Sequence, residues 1–320
     1  MSNSQEKTIE SLYRLKSRAI EWHALRAATE TGVLRELAKG QRTVAQIAEA
    51  LALDKAATAR LMAVLCRTEM VDQYGDDFAL TTLGKLMPET LLDFGNNHLQ
   101  HLTEHLKTGA PIDDADRWAA ELASREWTLT PAALTALQAL GVGEARKGLF
   151  VLDIHAGSAV FASALAHRDA SSRIFLVDQA TELERGKKTV ASIEVEGQTE
   201  FISIEDGKNW WEAGVPGADL MLMVNEVHKL SAEQRTQWFS QARPLLHQEG
   251  ELMIVDVFGG QEEGVQRVAD YELELSLRTE SAICDATLLE SELKQAGFRQ
   301  VQFAWLPCEP FLYGLLLATK

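Results

Sequence analysis

This chain of 320 residues has few cysteines and no long apolar run. Its 3 cysteines, Cys66, Cys284 and Cys308, lack the spacing of a metal site, and so sparse and odd a set is typical of a reducing compartment. The polar start contains no apolar signal core, and no segment offers the ~18 apolar residues that a bilayer span needs. We therefore expect a cytoplasmic protein without a membrane partner.

Positive charge is also scarce. The chain has 31 lysines and arginines against 47 aspartates and glutamates, which gives a formal net charge of -16. Because nucleic acids and anionic membranes are themselves negative, repulsion disfavours both as the main partner. The remaining composition, with 46% hydrophobic residues, is typical of a folded globular protein, and the length favours more than one domain.

The first 88 residues predict several helices followed by a hairpin. Thr43, with Gln46 three residues later, indicates a capped helix start, and a further helix is expected over residues 55–68. Two short apolar segments, 70–74 and 78–81, flank a Gly-Asp-Asp turn and predict a β-hairpin. Helices followed by a hairpin are typical of a winged helix-turn-helix.

Such a module often binds DNA through the second helix of its helix-turn-helix pair, here residues 55–68. Here that helix offers Lys55, Arg60 and Arg67 but no dense basic face. We therefore favour a second interpretation over that of a DNA regulator. In it, the winged helix serves dimerisation and substrate capping.

Residues 89–147 predict a helical connector. His98, His101 and His105 have the i, i+3, i+7 spacing of one helical face, where a metal site is one interpretation. The other is a polar face or pocket lining, which we favour because no cysteine or carboxylate joins the three histidines on that face.

From residue 148 to the end, strands alternate with helices. The apolar segments are 150–154, 174–177, 200–204, 219–224, 252–257, 301–305 and 312–318. Helical segments separate the first five, which predicts a mostly parallel sheet covered on both faces. The last two lack a helix between them and predict an antiparallel hairpin at the end of the sheet.

The first two of these strands end in candidate cofactor-binding residues. Asp153 closes the first strand and is followed by a turn that contains His155 and Gly157, while Asp178 closes the second. An acidic residue about 20 residues after such a turn typically binds ribose hydroxyls. After the third strand, Asn209 and Trp210 join the candidate set, since a tryptophan there either stacks on an adenine or covers the edge of the sheet.

Candidate catalytic residues follow the fourth and fifth strands. His228 lies just beyond the fourth strand, where catalytic groups gather in such folds, and imidazole transfers protons near neutral pH. Asp256 ends the fifth strand and is expected to orient that imidazole.

In this order and spacing the chain resembles the S-adenosylmethionine-dependent small-molecule O-methyltransferases over nearly its whole length. Residues 51–82 resemble the family's winged-helix segment, and residues 151–158 resemble its Asp-x-Gly-x-Gly-x-Gly cofactor loop. Asp178 falls on the ribose-binding acid, His228 on the catalytic base and Asp256 on the acid that orients it. Residues 295–298 fall on the family's Ala-Gly-Phe before the terminal hairpin.

The resemblance implies an α/β fold class. It comprises a Rossmann-like seven-stranded methyltransferase sheet with a reversed last strand, preceded by an all-helical winged-helix dimerisation domain. The domains are expected at residues 1–88, 89–147 and 148–320. The implied cofactor is S-adenosyl-L-methionine, the implied partners are a small hydroxylated acceptor and a second copy of the chain, and no metal is expected.

The cofactor loop departs from the family pattern, since His155 and Ala159 stand where glycines are usual. Glycine there allows unusual backbone angles and a close approach of the ligand. Lys229 replaces the aspartate that usually follows the base. Asp285 lies one residue from the position where the family often has a second orienting glutamate. A non-catalytic homologue that has lost tight cofactor binding therefore remains an alternative, as does a relative that uses the same site for hydroxylation.

Overall fold

The computed structural model describes residues 3–86, 99, 101–112, 126–259, 265–278, 282–306 and 313–320. The chain forms two compact units, Met1–Asn96 and Asn97–Lys320. The division into a winged domain, a connector and a sheet domain at residues 88 and 147 stays a prediction.

The N-terminal unit contains five helices among its described residues: α1 (Asn3–Glu30), α2 (Val33–Ala38), α3 (Val44–Ala50), α4 (Lys55–Arg67) and α5 (Thr82–Leu86). Gly32, at φ 83°, separates α1 from α2. The predicted capping box of α3 is present, because Thr43 Oγ1 accepts from the N–H of Gln46 and the Gln46 side chain accepts from the N–H of Thr43.

A small sheet completes this unit, which is therefore not all-helical. Strands β2 (Val71–Tyr74) and β3 (Asp77–Leu80) form the predicted hairpin, and the two-residue strand β1 (Arg42–Thr43) pairs with β3. The apolar faces of helices and hairpin meet in one core, which includes Leu25, Val33, Ile47, Met62, Leu65 and Phe78.

The C-terminal unit is built on a mixed sheet. Its strands are β4 (Phe150–Ile154), β5 (Arg173–Gln179), β6 (Thr199–Ile204), β7 (Ala218–Val224), β8 (Leu246–Gly259), β9 (Cys284–Asp285), β10 (Arg299–Leu306) and β11 (Tyr313–Thr319). The spatial order is β10-β11-β8-β7-β4-β5-β6, and the short β9 pairs with the end of β8. Strand β11 runs antiparallel to both neighbours while β4 to β8 are parallel, which confirms the predicted sheet with its reversed last strand.

Helices cover both faces of this sheet. The helices described in this unit are α6 (Leu102–Thr108), α7 (Thr130–Ala139), α8 (Val160–Arg168), α9 (Ala180–Ser192), α10 (Ala232–Leu245), α11 (Val265–Arg278) and α12 (Ala286–Gln295). Successive side chains of a strand point to opposite faces, so Val151 joins one buried cluster and Leu152 the other. Within the described parts of the chain, no helix combines the length and apolar character that crossing a bilayer requires.

The carboxylate of Asp169, just after α8, ties the start of β4 to the loop before β5. It accepts from the Gly148 N–H at 2.7 Å and from the hydroxyls of Ser171 and Ser172 at 2.5 and 2.6 Å. Burial raises the pKa of Asp169, but these hydrogen bonds outweigh it and lower the pKa from 3.8 to about 2.

We expect Asp169→Asn to lower the free energy of unfolding at pH 7 by about 2 kcal/mol. The charged form is favoured in the folded chain, so its contribution is present above the unfolded pKa near 3.8 and disappears as pH falls through about 2. Urea unfolding of both chains at several pH values tests this, with exposed Asp206→Asn as the control. A difference that stays constant down to pH 2 would contradict the assignment.

Candidate active site at the carboxyl edge of the sheet

The loop after β4 follows a left-handed backbone path at alternate residues. His155, Gly157 and Ala159 have φ angles of 53°, 53° and 58°. This conformation costs a residue with a side chain roughly 1–2 kcal/mol, which glycine avoids. The loop therefore retains the path expected of three glycines, although two of them are replaced.

Asp178, at the end of β5, lies against this loop. Its carboxylate accepts from the N–H of Gly157 at 2.9 Å and of Gln179 at 2.7 Å, and His155 Nδ1 lies 3.8 Å from its Oδ1. The His155 N–H in turn donates to the carbonyl oxygen of Val177 at 2.8 Å. The structure thus brings together the loop and the acid that the sequence analysis singled out.

An aromatic cluster of Trp210, Trp211 and Trp238 lies beside the loop. The His155 ring stacks on Trp238 with ring centroids 5.0 Å apart, and Trp210 meets Trp211 and Trp238 edge to face. Trp210 is completely buried, while Asn209 caps the short turn Trp210–Glu212 by bonding to Glu212. Cofactor contacts by Asn209 and Trp210 stay predictions.

His228 and Asp256 form a buried pair. His228 Nδ1 lies 2.8 and 2.9 Å from the two carboxylate oxygens of Asp256, and the Asp256 side chain is completely buried. Asp256 also accepts from the backbone N–H groups of His228 and Val257. A carboxylate with these donors holds the proton on Nδ1 and leaves Nε2 with a lone pair. This is the arrangement that a histidine base requires.

Further carboxylates crowd the same edge. Asp153, at the end of β4, is only 2% exposed, and burial together with Asp178 and Glu226 raises its pKa well above the usual range. Lys229 donates a hydrogen bond to Glu226. Burial lowers the pKa of Lys229, but Glu226, Asp256 and Asp178 outweigh that effect and raise it.

Residues distant in sequence hold the loop that carries His228. Arg235 makes a two-pronged ion pair with Glu292 of α12, at 2.7 and 2.8 Å, and donates to the carbonyl oxygen of Leu230 at 2.8 Å. The Cys284 thiol, whose pKa burial raises to about 11, donates to the carbonyl oxygen of Val227. These contacts fix both ends of the short turn Val227–Lys229.

Comparison with solved structures identifies the architecture. A structure of an O-methyltransferase family protein from Burkholderia thailandensis has 17% sequence identity and a TM-score of 0.75, covering 98% of each chain. Human N-acetylserotonin methyltransferase, solved in complex with SAM, has 17% identity and a TM-score of 0.74 over 100% of this chain and 99% of its own. This chain has the O-methyltransferase fold.

The same fold also occurs in a protein named as an N,N-dimethyltransferase. The N,N-8-amino-8-demethyl-D-riboflavin dimethyltransferase from Streptomyces davawensis has 18% identity and a TM-score of 0.76, over 100% of this chain and 99% of its own. No protein-family model and no curated protein sequence matches this chain. The likeness therefore concerns the fold, and the chemistry must be argued from the site.

Within the methyltransferase fold, sequence reasoning did not single out Glu226, Trp238 or Arg235 for the site. Glu226 is two residues before His228, so its position was a usable signal. Trp238 and Arg235 belong to α10, and only packing of that helix on the sheet brings them to the loops. Asp285 caps α12 by accepting from the N–H groups of Thr287 and Leu288, rather than orienting the base.

The predicted histidine face lies elsewhere in this unit. His98 falls outside the described residues. His105 Nδ1 donates to the carbonyl oxygen of Ala110 at 2.9 Å, and its Nε2 lies 3.1 Å from the hydroxyl of Ser276. In the part of the chain that the structure describes, no group of three or more histidine, cysteine or acidic side chains has the arrangement of a metal site.

Proposed function

We propose that this chain is an S-adenosylmethionine-dependent O-methyltransferase that acts on a hydroxyl group of a small molecule, such as a phenol. The observation that carries the proposal is the buried His228–Asp256 pair at the same sheet edge as the loop of residues 155–159. Parallel strands bring their carboxyl ends to one edge, so a base and a nucleotide-binding loop there serve a common site.

The residues of the loop fit the cofactor. Their left-handed backbone gives the path that glycines usually provide, and α9 approaches so closely that a Cβ at Gly186 would stand 3.3 Å from the Gly157 oxygen. A carboxylate offers about four lone-pair positions, so Asp178 can accept from ribose hydroxyls besides its two backbone donors. The loop and Asp178 would hold the cofactor, which supplies a methyl group on a positively charged sulfonium.

The chain's own residues prepare the acceptor. Asp256 fixes the His228 ring and keeps the proton on Nδ1, so that Nε2 can take the proton of an acceptor hydroxyl. The Tyr271 ring meets the His228 ring edge to face with centroids 6.3 Å apart, and its burial raises the tyrosine pKa, so the phenol stays neutral. His228 itself is only 6% exposed, which keeps bulk water from competing for Nε2.

Binding and turnover measurements test the proposal directly. Calorimetry of the full chain should show S-adenosylmethionine binding in the micromolar range, and labelled methyl transfer to a panel of small phenols should identify an acceptor. Absence of binding at millimolar cofactor would overturn the proposal.

His155 and Lys229 favour a second candidate function, a non-catalytic homologue that acts as a binding or regulatory protein. The His155 side chain stands beside Asp178 at a position where the cofactor loop usually has none. Calorimetry separates the two candidates, because this second function predicts a folded chain without cofactor binding.

We further propose that the chain forms a homodimer through α1. Four apolar side chains, Ile9, Leu12, Tyr13 and Ile20, share one helical face and are 42 to 66% exposed. Leu12→Glu is expected to shift the chain to a monomer in light scattering, whereas Ser11→Glu on the opposite side leaves the mass unchanged. An unchanged mass for both variants would exclude this face.

A further inference from the structure

Four buried carboxylates, which we call the ring of carboxylates, lie at the same sheet edge as the candidate cofactor loop. Asp153, Asp178, Glu226 and Asp256 are at most 8% exposed and come from four adjacent strands or the loops that follow them. Buried carboxylates at such density require a positive partner or protonation. Burial, together with the charges of Asp178 and Glu226, raises the pKa of Asp153.

Lys229 supplies a positive charge to this ring of carboxylates. Its ammonium donates to the buried Glu226, while the lysine side chain itself is 45% exposed. Burial lowers the pKa of Lys229, but Glu226, Asp256 and Asp178 outweigh that effect and raise it. The lysine therefore adds a partly exposed ammonium to these carboxylates.

We propose that Lys229 is the resident counter-cation of this ring, and that it makes the candidate cofactor site favour the uncharged thioether form of the cofactor over the sulfonium form. The inference rests on the proposed function. A sulfonium gains attraction from a ring of carboxylates, but an ammonium already paired there removes part of that gain and adds repulsion. A thioether carries no charge at sulfur and is affected much less.

Two ligands isolate this effect, because S-adenosylmethionine and S-adenosylhomocysteine differ by the methyl group and the charge on sulfur. Calorimetry with the full chain gives the ratio of their dissociation constants. Lys229→Met keeps the length of the side chain and removes its charge. We expect this variant to lower the dissociation constant of S-adenosylmethionine about tenfold or more, and that of S-adenosylhomocysteine less than about threefold.

A second variant reverses the sign. Glu226→Gln leaves the Lys229 ammonium without its closest partner, so S-adenosylmethionine should bind about tenfold more weakly, with little change for the thioether. This variant also tests the inference if the buried, unpaired Glu226 of K229M prevents folding. Lys39→Met is the matched control, because Lys39 pairs with buried Glu36 at the same i, i+3 spacing in the N-terminal unit.

The outcomes separate this inference from the proposed function. If the wild type binds both ligands and the ratio of their dissociation constants is unchanged in K229M and E226Q, the proposed role of Lys229 is overturned. The cofactor site itself is then still supported. Equal tightening of both ligands in K229M indicates a steric obstruction and also overturns it. If wild type and K229M both bind neither ligand, the cofactor site itself fails and the inference fails with it. Sulfonium binding that is measurable in the wild type and tightens in K229M, with little change for the thioether, supports the inference.

Discussion

His228→Ala should lower methyl transfer by about 10²-fold or more while leaving cofactor binding intact. The imidazole provides the Nε2 lone pair that removes the acceptor proton, and alanine leaves only water for this step. The effect should fall mainly on kcat, because His228 acts on the proton rather than on the cofactor. Single-turnover assays with the acceptor found for the wild type measure it.

The chain supplies its own control for this substitution. His247 Nδ1 also lies within hydrogen-bonding distance, 2.9 Å, of an aspartate, Asp219, but this pair lies at the opposite edge of the sheet, near the starts of β7 and β8. His247→Ala should leave turnover unchanged. Turnover in His228→Ala equal to that of the wild type would exclude His228 as the base.

Asp256→Asn should reduce turnover by about 10²- to 10⁴-fold, because a neutral amide does not stabilise the imidazolium or hold the productive tautomer. Both carboxylate oxygens already accept a backbone N–H, one from His228 and the other from Val257. Either orientation of an asparagine therefore points its NH₂ group at a backbone donor. The unsatisfied donors should also lower the free energy of unfolding by about 1–3 kcal/mol.

The pH dependence distinguishes positioning from general damage. If Asp256 holds the Nδ1 proton, the pH profile of kcat in the asparagine variant should shift, whereas lost stability alone would lower kcat equally at every pH. Asp219→Asn tests the same substitution at the His247 pair and should leave both the profile and the rate unchanged. An unaltered rate in Asp256→Asn would separate Asp256 from catalysis.

Local sequence signals predicted much of the fold. Alternating apolar segments located the sheet strands, and the missing helix between the last two predicted the reversed final strand. Thr43 and Gln46 marked a helix start because a capping box needs only residues three apart in one segment. The two-residue strand β1 was missed, since its pairing with β3 depends on residues more than thirty positions away.

The residues of the candidate site also divide into those that the sequence predicted and those that it did not. Asp153, Asp178, His228 and Asp256 were recognisable because each follows directly on an apolar strand. The backbone path at His155 and Ala159 was not recognisable. A motif in which two glycines are replaced does not reveal that these two residues still adopt φ angles of 53° and 58°. The surrounding strand, helix and Asp178 contacts enforce that conformation against its local cost.

The sequence by itself determined the order of strands and helices, the strand ends that carry acids and the histidine, and the strongly acidic balance of charge. Only the tertiary structure decided which of these groups meet: Asp256 with His228, Lys229 with the ring of carboxylates, and Trp238 with His155. The physical reason is that hydrophobic periodicity and capping act within a few residues. Hydrogen-bond pairing and charge crowding instead depend on distances that exist only after the sheet has brought the ends of separate strands together.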